Sequence, residues 1–155
     1  MRPSRDEWSL KLALLTAQRT TCYRRAVGCV LLNARGHVLA TGYNGVAAGL
    51  PHCNHHDQFY PTGFPHACSG ANALSGTNLD GCQAIHAEQN AMLQCKDVYN
   101  IHTCYVTASP CMTCTKLLLN TSCERIVFVE EYPHSVAKEL WTGTGRDWEQ
   151  LIINQ

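Results

Sequence analysis

Two short stretches of this chain carry side chains that bind metals and move protons. The first is "IHAEQ", in which His86 and Glu88 lie two residues apart within an apolar run. The second is "SPCMTC", in which Cys111 and Cys114 lie three residues apart directly after a proline. One imidazole and two thiolates are ligands that zinc prefers, and a zinc ion with three protein ligands keeps its fourth position open for water. These residues therefore predict a catalytic zinc site.

The spacing of the two cysteines favours metal binding over other uses of a CxxC pair. Residues three apart share one face of a helix, and the free N–H groups of a first turn stabilise the thiolate that binds metal. A CxxC pair also occurs in thiol oxidoreductases beside a thioredoxin-like βαβ unit, and in zinc ribbons together with a second CxxC. This sequence has no second CxxC.

Glu88 is the candidate for proton transfer. Zinc lowers the pKa of a bound water from about 15.7 to about 7, and the chemistry then needs a proton acceptor that is not itself a ligand. H-x-E followed by P-C-x-x-C is the signature of zinc-dependent nucleobase deaminases. We therefore predict that His86, Cys111 and Cys114 hold zinc while Glu88 moves protons, and the resemblance to this signature implies a hydrolytic deamination.

Helices and strands alternate along the chain and must bring these residues together. A capping-box pattern at Ser4 and apolar residues at helical spacing predict a first helix over about 8–19, with Trp8 and the leucines in the core. "VGCVLLN" and "HVLATGYN" predict a β-hairpin, and "CYVTA" and "RIVFVE" predict two further strands. The zinc stretches each open a helix, so two helix N-termini would meet at one metal. A last helix is predicted at "PHSVAKELW", before a short tail. The alternation predicts an α/β sandwich around one sheet.

Length and charge limit the kind of partner. The 155 residues are expected to form a single domain, with an irregular insertion at about 45–84. Twelve Lys and Arg balance twelve Asp and Glu, so no overall basic field attracts nucleic acid, and a small ligand is expected. With no signal peptide and no apolar run near the roughly 20 residues that cross a bilayer, we expect a cytoplasmic protein without a membrane partner.

The ten cysteines are predicted to be free thiols and metal ligands. Disulfide scaffolds belong mainly to small secreted chains, which this sequence does not resemble. Four cysteines lie in or beside apolar segments, where a free thiol packs as a small hydrophobic group: Cys29, Cys95, Cys104 and Cys123.

The chain resembles the cytidine deaminase superfamily and, within it, the deoxycytidylate (dCMP) deaminases. The superfamily resemblance rests on H-x-E and P-C-x-x-C, and the narrower one on "TCYRRAVG", "TGYNG" and the long Cys- and His-containing insertion, over roughly residues 8–140. It implies a three-layer α/β/α sandwich around a single mixed sheet of about five strands. It also implies hydrolysis of dCMP to dUMP and ammonia, with zinc as the catalytic cofactor.

The same resemblance assigns residues to the substrate. The backbone N–H of Ala87 would hold the cytosine carbonyl, and the backbone carbonyl of Ser109 would hold the exocyclic amine. Asn44 matches the family residue that binds the sugar hydroxyl and base edge, although Asn-Gly is also a common turn dipeptide. Tyr132 resembles a tyrosine near the active site, and a plain packing role for it is equally open.

Regulation by nucleotides is a further implication. Enzymes of this type are activated by dCTP and inhibited by dTTP near a subunit interface, which implies Mg²⁺ with the triphosphate and a homo-oligomer, either a dimer or a hexamer. Gly42 and Asn44 are the expected lining of the effector site. Arg24 and Arg25 would bind phosphate there or on the substrate, since the guanidinium fork suits phosphate oxygens.

A second, structural zinc is implied for the insertion, where it would organise a long irregular stretch. The cysteines available to it are Cys22, Cys53, Cys68 and Cys82. Relatives use counterparts of the first two. The positions of the remaining ligands in some relatives hold Gly76 and Ala84 here, so Cys68, Cys82 or a histidine would have to substitute.

Two other functions stay open at this point. A different deaminase of the superfamily, acting on dCTP, free cytidine or tRNA adenosine, would use the same zinc site, although a tRNA enzyme is expected to have a basic face. A non-catalytic zinc module that binds nucleic acid or protein through the insertion is a hypothesis of another class. The zero net charge disfavours it.

Overall fold

The computed structural model describes residues 1–21, 25–50, 84–133 and 136–154. The helices within this part are α1 (Arg5–Ala17), α2 (Ala87–Gln94), α3 (Met112–Leu119) and α4 (Val136–Thr142), with one 3₁₀ turn at Val98–Asn100. The strands are β1 (Gly28–Leu32), β2 (Val38–Tyr43), β3 (Gly45–Val46), β4 (Ala84–Ile85), β5 (Thr103–Ala108), β6 (Arg125–Glu130) and β7 (Asp147–Gln150). None of the helices described here is long and apolar enough to cross a membrane.

Five strands form one mixed sheet in the order β2-β1-β5-β6-β7. β1 pairs antiparallel with both β2 and β5, whereas β5, β6 and β7 run parallel. Parallel neighbours need a crossover, and α3 and α4 supply the two connections. The predicted hairpin and the strands at "CYVTA" and "RIVFVE" are confirmed.

The sheet separates two apolar clusters. Side chains alternate across a strand, so Val30 and Leu32 of β1 pack on the α1 side while Cys29 and Leu31 face the side of the other three helices. The cluster on that second side includes Ala87 and Ala91 of α2, Leu118 of α3 and Trp141 of α4. The predicted three-layer α/β/α sandwich around a five-stranded mixed sheet is confirmed.

Glycines in the hairpin let helices on both faces approach it closely. A Cβ on Gly28 would lie 1.9 Å from the carbonyl oxygen of Ala13 in α1. A Cβ on Gly42 would lie 2.3 Å from the carbonyl oxygen of Ala87 and 2.4 Å from the nitrogen of Ala91, both in α2. Any side chain at either position would push a helix backbone away from the sheet.

The first helix begins earlier than predicted and presents a different face to the core. The hydroxyl of Ser4 accepts a hydrogen bond from the Glu7 backbone N–H at 3.1 Å, which confirms the predicted cap. The core prediction is wrong for Trp8 and Leu15, which are 41% and 61% exposed. The buried residues of α1 are Ser9, Leu10, Ala13 and Ala17. Because the backbone of β1 comes close to α1 at Gly28, the small residues Ala13 and Ala17 occupy that contact.

The segment predicted as a tail contains the edge strand β7. Its four residues, "DWEQ", are mostly exposed and show no apolar run, so no strand signal is visible in the sequence. Pairing with β6 and the edge-to-face contact of Trp148 with Phe128, at 5.4 Å between ring centroids, hold it in place. Three of the four cysteines predicted to be core thiols, Cys29, Cys104 and Cys123, are free and buried, while Cys95 is only half-buried.

The two ends of the predicted insertion lie side by side. Gly45–Val46 pairs antiparallel with Ala84–Ile85, so the ends of this segment are neighbours. Residues 51–83 lie outside the described part of the chain, as do residues 22–24. The predictions for the second zinc at Cys22, Cys53, Cys68 and Cys82, and for Arg24, therefore fall on residues that the structure does not describe.

An ion-pair network ties the first helix to strands β5, β6 and β7. The guanidinium of Arg125 donates to both carboxylate oxygens of Asp6 at 2.9 and 2.8 Å, and it also pairs with Glu149. The Tyr105 hydroxyl donates to Asp6 at 2.7 Å. The hydrogen bonds from Arg125 are the main reason that the pKa of Asp6 lies below its ordinary value.

We expect Asp6→Asn to lower the free energy of unfolding by about 1–3 kcal/mol at neutral pH, because it removes charge-assisted hydrogen bonds. Folding lowers this pKa, so the stabilisation is present above the ordinary value of 3.8 and is lost as the pH falls below it towards the folded value. Urea unfolding of both proteins from neutral to acid pH measures the difference. A difference that stays constant into acid would contradict the role of this carboxylate.

Candidate active site

The N-terminus of α2 presents His86 and Glu88 to the same region. His86 is the N-cap residue, with extended backbone angles φ −66° and ψ 152°, and its own N–H donates to the Gln89 side chain at 3.0 Å. An N-cap side chain lies ahead of the first turn, so the imidazole reaches beyond the end of the helix. Glu88 belongs to that first turn and is 4% exposed.

The N-terminus of α3 presents the two cysteines. Cys111 is the N-cap residue, and its sulfur accepts a hydrogen bond from the backbone N–H of Cys114 at 3.5 Å. Cys114 lies in the first turn and is buried. As predicted, the side chains before and within these first turns converge.

The imidazole and the two thiols form a compact cluster. Nδ1 of His86 lies 3.4 Å from Sγ of Cys111 and 3.3 Å from Sγ of Cys114, and the three ligand atoms all lie within 4.8 Å of one another. Zinc bonds of about 2.0–2.3 Å in tetrahedral geometry separate neighbouring ligand atoms by roughly 3.5 Å. The donor set and its spacing therefore fit a zinc ion with three protein ligands.

The pKa values of the two thiols are shifted in opposite directions. Their mutual hydrogen bond is the main cause of a pKa of about 4 for Cys111, and it raises the pKa of Cys114, which is also deeply buried. His86 and the backbone N–H of Cys114 lower the pKa of Cys111 further. The cluster thus favours the thiolate form of Cys111, which is the form that binds metal.

Glu88 is a buried carboxyl beside this cluster. Burial raises its pKa above the ordinary value, and the nearby His86 offsets part of that effect. The Cys114 thiol acts on the carboxyl as a hydrogen-bond partner. A buried carboxyl with a raised pKa next to a metal site is suited to accepting and returning a proton.

The backbone groups predicted to hold a base lie at the same end of the sheet. Ala87 is the first residue of α2, where N–H groups have no partner inside the helix. Ser109 directly follows β5 and precedes the α3 cysteines. Its N–H donates to the carbonyl oxygen of Glu130 at 2.8 Å, and its hydroxyl accepts from the N–H of Tyr132 at 2.6 Å. The end of β6 and the residues after it are therefore hydrogen-bonded to Ser109.

Asn44 holds the segment that leads into β1. Its amide oxygen accepts from the Val27 N–H at 2.9 Å and from the Thr20 hydroxyl at 2.7 Å, and its amide nitrogen donates to the carbonyl oxygen of Arg25. The side chain is therefore engaged with the protein backbone. The predicted contact of Asn44 with a sugar or base remains a prediction.

The guanidinium of Arg25 also has partners. It pairs with the Glu130 carboxylate at 3.1 Å and lies over the ring of Tyr132, 5.9 Å from its centroid. Sequence reasoning missed Glu130 in this arrangement. Its only signal was its place at the end of a core strand, two residues before Tyr132.

A hollow of about 320 Å³ lies beside the "TGYNG" segment. Its lining includes Thr21, Tyr43, the residues from Gly45 to Leu50, and Asn90 of α2. Asn90 donates to the Tyr43 carbonyl oxygen at 2.8 Å, a contact that the sequence did not reveal. Gly42 does not line this hollow and is instead packed against the start of α2.

Comparisons with known proteins agree with this geometry. The family model described as "Cytidine and deoxycytidylate deaminase zinc-binding region" matches residues 3–130. Deoxycytidylate deaminase of Saccharomyces cerevisiae is 37% identical over 134 residues, and that of Mycobacterium phage D29 is 38% identical over 132 residues. The matches cover 85% and 84% of this chain.

The two relatives differ in how much of their own length is matched. This chain spans 39% of the yeast protein and 98% of the phage protein. Among solved structures, dCMP deaminase from cyanophage S-TIM5 in complex with dCMP and dUMP has a TM-score of 0.71 and 24% identity, covering 97% of this chain and 99% of that one. At that identity the likeness establishes the fold.

Proposed function

The chain belongs to the cytidine and deoxycytidylate deaminase family, and on that premise we propose that it hydrolyses dCMP to dUMP and ammonia. The observation that carries the proposal is the cluster of His86, Cys111 and Cys114 with the buried carboxyl of Glu88 beside it. The phage relative supports the nucleotide substrate, because it bears the name deoxycytidylate deaminase and is matched over nearly its whole length.

Zinc, when bound by the three ligands, supplies the Lewis acidity that lets water ionise near neutral pH. Glu88 would accept the proton of the attacking water and pass it to N3 of the cytosine ring. It would then take the proton of the hydroxyl newly formed at C4 and give it to the departing amine, so that ammonia leaves and the C4 carbonyl forms. These transfers require a carboxyl that can hold a proton close to neutral pH, and the burial of Glu88 favours its protonated form.

Backbone groups orient the base in this proposal. The N–H of Ala87 at the start of α2 donates to the cytosine carbonyl, and the carbonyl of Ser109 accepts from the exocyclic amine. Tyr132 lies next to Ser109 through its backbone, and its ring would border the substrate. Asn44 would contact the sugar, in addition to its contacts with the segment before β1.

A substrate panel tests the proposal. The purified protein is incubated with cytidine, dCMP, CMP, dCTP and an adenosine-containing RNA, and the release of ammonia is followed. Fastest turnover on dCMP supports the proposal. Turnover on RNA alone would assign the chain to a different deaminase, and no turnover on any substrate with zinc bound would favour a non-catalytic zinc module.

We further propose that dCTP activates and dTTP inhibits this enzyme, each with Mg²⁺, at the hollow beside "TGYNG". The volume of the hollow, about 320 Å³, lies in the range of small-molecule sites, and Thr21, Tyr43 and Asn90 bring polar groups to its lining, which supports a nucleotide ligand. Gly42 would contribute by bringing α2 against this segment, and Arg24 by binding phosphate.

The two triphosphates should then shift the dCMP saturation curve in opposite directions, by about 5- to 150-fold in apparent affinity. Arg24→Ala should abolish this response, whereas Arg19→Ala, which removes an exposed arginine of the same charge, should retain it. Saturation curves that neither triphosphate alters in the wild type would refute the regulation and leave the deaminase proposal intact.

The second zinc, the homo-oligomer and the cytoplasmic location also remain proposals. Metal analysis of the full chain distinguishes one zinc from two, and a second equivalent that is lost in Cys53→Ala would assign the structural site. Native mass spectrometry distinguishes a dimer from a hexamer.

A further inference from the structure

Arg25 occupies a position where two segments of the active-site rim meet. It lies in the stretch that leads into β1, while Glu130 and Tyr132 lie at the end of β6 and just beyond it. Its guanidinium contacts both, the carboxylate at 3.1 Å and the aromatic ring at 5.9 Å. One nitrogen of this guanidinium is therefore already paired with a carboxylate.

The two residues that Arg25 contacts are both hydrogen-bonded to Ser109. The backbone of Glu130 accepts from the N–H of Ser109, and the N–H of Tyr132 donates to the hydroxyl of Ser109. Glu130 and Tyr132 therefore both hold Ser109, whose carbonyl is proposed to bind the substrate amine. Ser109 itself is buried, at 3% exposure, so its position depends on these neighbours.

The backbone around Arg25 is itself held in place by hydrogen bonds. The Asn44 side chain binds the backbone at Arg25 and Val27, and the N–H of Gly28 donates to the Thr107 hydroxyl at 3.2 Å near the end of β5. The backbone that carries the guanidinium is thus fixed against the same strand end that leads to Ser109. A rigid cation can then hold the more exposed segment after β6 in place.

We propose that Arg25 is a positioning residue for the deamination: it clamps Glu130 and Tyr132 so that the carbonyl of Ser109 stays aligned with the substrate amine. This inference rests on the proposed function and gives Arg25 a role other than binding substrate or effector phosphate. The ring contact carries most of the effect, because an ion pair with a carboxylate that is 68% exposed contributes little.

The test compares Arg25→Ala, Arg25→Lys and Glu130→Gln with the wild type and with Arg35→Ala, which removes an equal charge from the turn between β1 and β2. For dCMP, Arg25→Ala should lower kcat by about 2- to 30-fold, the range of a cation–π contact, with a smaller change in KM. Arg25→Lys should recover part of kcat because it restores a cation over the ring. Glu130→Gln should leave KM unchanged or raise it, and Arg35→Ala should match the wild type.

A phosphate ligand behaves differently in the same measurements. If Arg25 binds substrate phosphate, Arg25→Ala raises KM and preserves kcat, and Glu130→Gln lowers KM by freeing the guanidinium. Either result overturns the positioning role, as does an Arg25→Ala variant with unchanged kcat. Zinc content and circular dichroism of each variant identify any that fail to fold, and Arg25→Lys then provides the kcat comparison.

A readout that does not depend on turnover separates this inference from the proposed function. Fluorotyrosine is incorporated into the zinc-loaded protein, and Tyr132→Phe assigns the fluorine signal of Tyr132. That signal should shift in Arg25→Ala and stay in place in Arg35→Ala, whereas an unmoved signal in both refutes the clamp. Absence of wild-type turnover on every cytosine nucleotide would instead refute the proposed function.

Discussion

Glu88→Gln should lower kcat for dCMP by at least about 10²- to 10⁴-fold, the usual contribution of general acid–base assistance. Glutamine keeps the shape of the side chain and one hydrogen bond, but it cannot accept a proton from water. Glu88 serves several successive transfers, so the loss should reach or exceed the upper part of that range. Steady-state kinetics with zinc content measured on the same sample provides the test.

The matched control is Glu139→Gln, which makes the same chemical change at an exposed position of α4. It should retain wild-type kcat. If Glu88→Gln retained kcat within tenfold of the wild type while binding zinc normally, Glu88 would not be the proton shuttle. If the variant lost zinc, its kinetics would report on the metal, and Glu88→Asp would then provide the comparison.

Cys111→Ala and Cys114→Ala should each remove one zinc equivalent per chain and reduce dCMP turnover to below about a thousandth of the wild type. Two remaining ligands hold zinc poorly, and without the metal the pKa of water returns from about 7 to about 15.7. The measurement is elemental analysis of the purified variants together with the ammonia assay.

Cys95→Ser provides the control for the cysteine variants. Cys95 is a half-buried thiol at the C-terminal end of α2, where its sulfur donates to the carbonyl oxygen of Asp97 at 3.4 Å. Its replacement should change neither zinc content nor turnover. Full zinc content in both Cys111→Ala and Cys114→Ala would show that the metal lies elsewhere.

The clustering of His86, Cys111 and Cys114 could be predicted because its signal is local in sequence. His86 and Glu88 are separated by one residue, and Cys111 and Cys114 by two, so each pair occupies one helix start whatever the rest of the fold does. Strands β1, β5 and β6 are also predictable from local sequence, because each contains a run of mainly apolar residues. The proximity of the two helix starts could be predicted because the two cysteines on α3 need a third metal ligand, and His86 at the start of α2 was the candidate.

Features that depend on distant partners could not be predicted. Trp8 is 41% exposed, while α1 meets β1 through Ala13 and Ala17 beside Gly28, and no periodicity within the helix reveals that contact. Strand β7 is held by pairing with β6 rather than by its own apolar content. The contacts of Arg25 join residues 105 positions apart, and an arginine before a strand carries no mark of its partner.

The close packing at Gly42 has a consequence for the range of sequences that this active site can accept. Alanine at this position would place a methyl group 2.3 Å from the carbonyl oxygen of Ala87, the residue between His86 and Glu88. The start of α2 would have to move away from the sheet, and the imidazole and carboxyl would move with it relative to the two cysteines on α3. Position 42 should therefore tolerate substitution as poorly as a metal ligand does. Selection for deaminase activity would act there on the absence of a side chain, at a residue that offers the metal and the substrate no chemical group of its own.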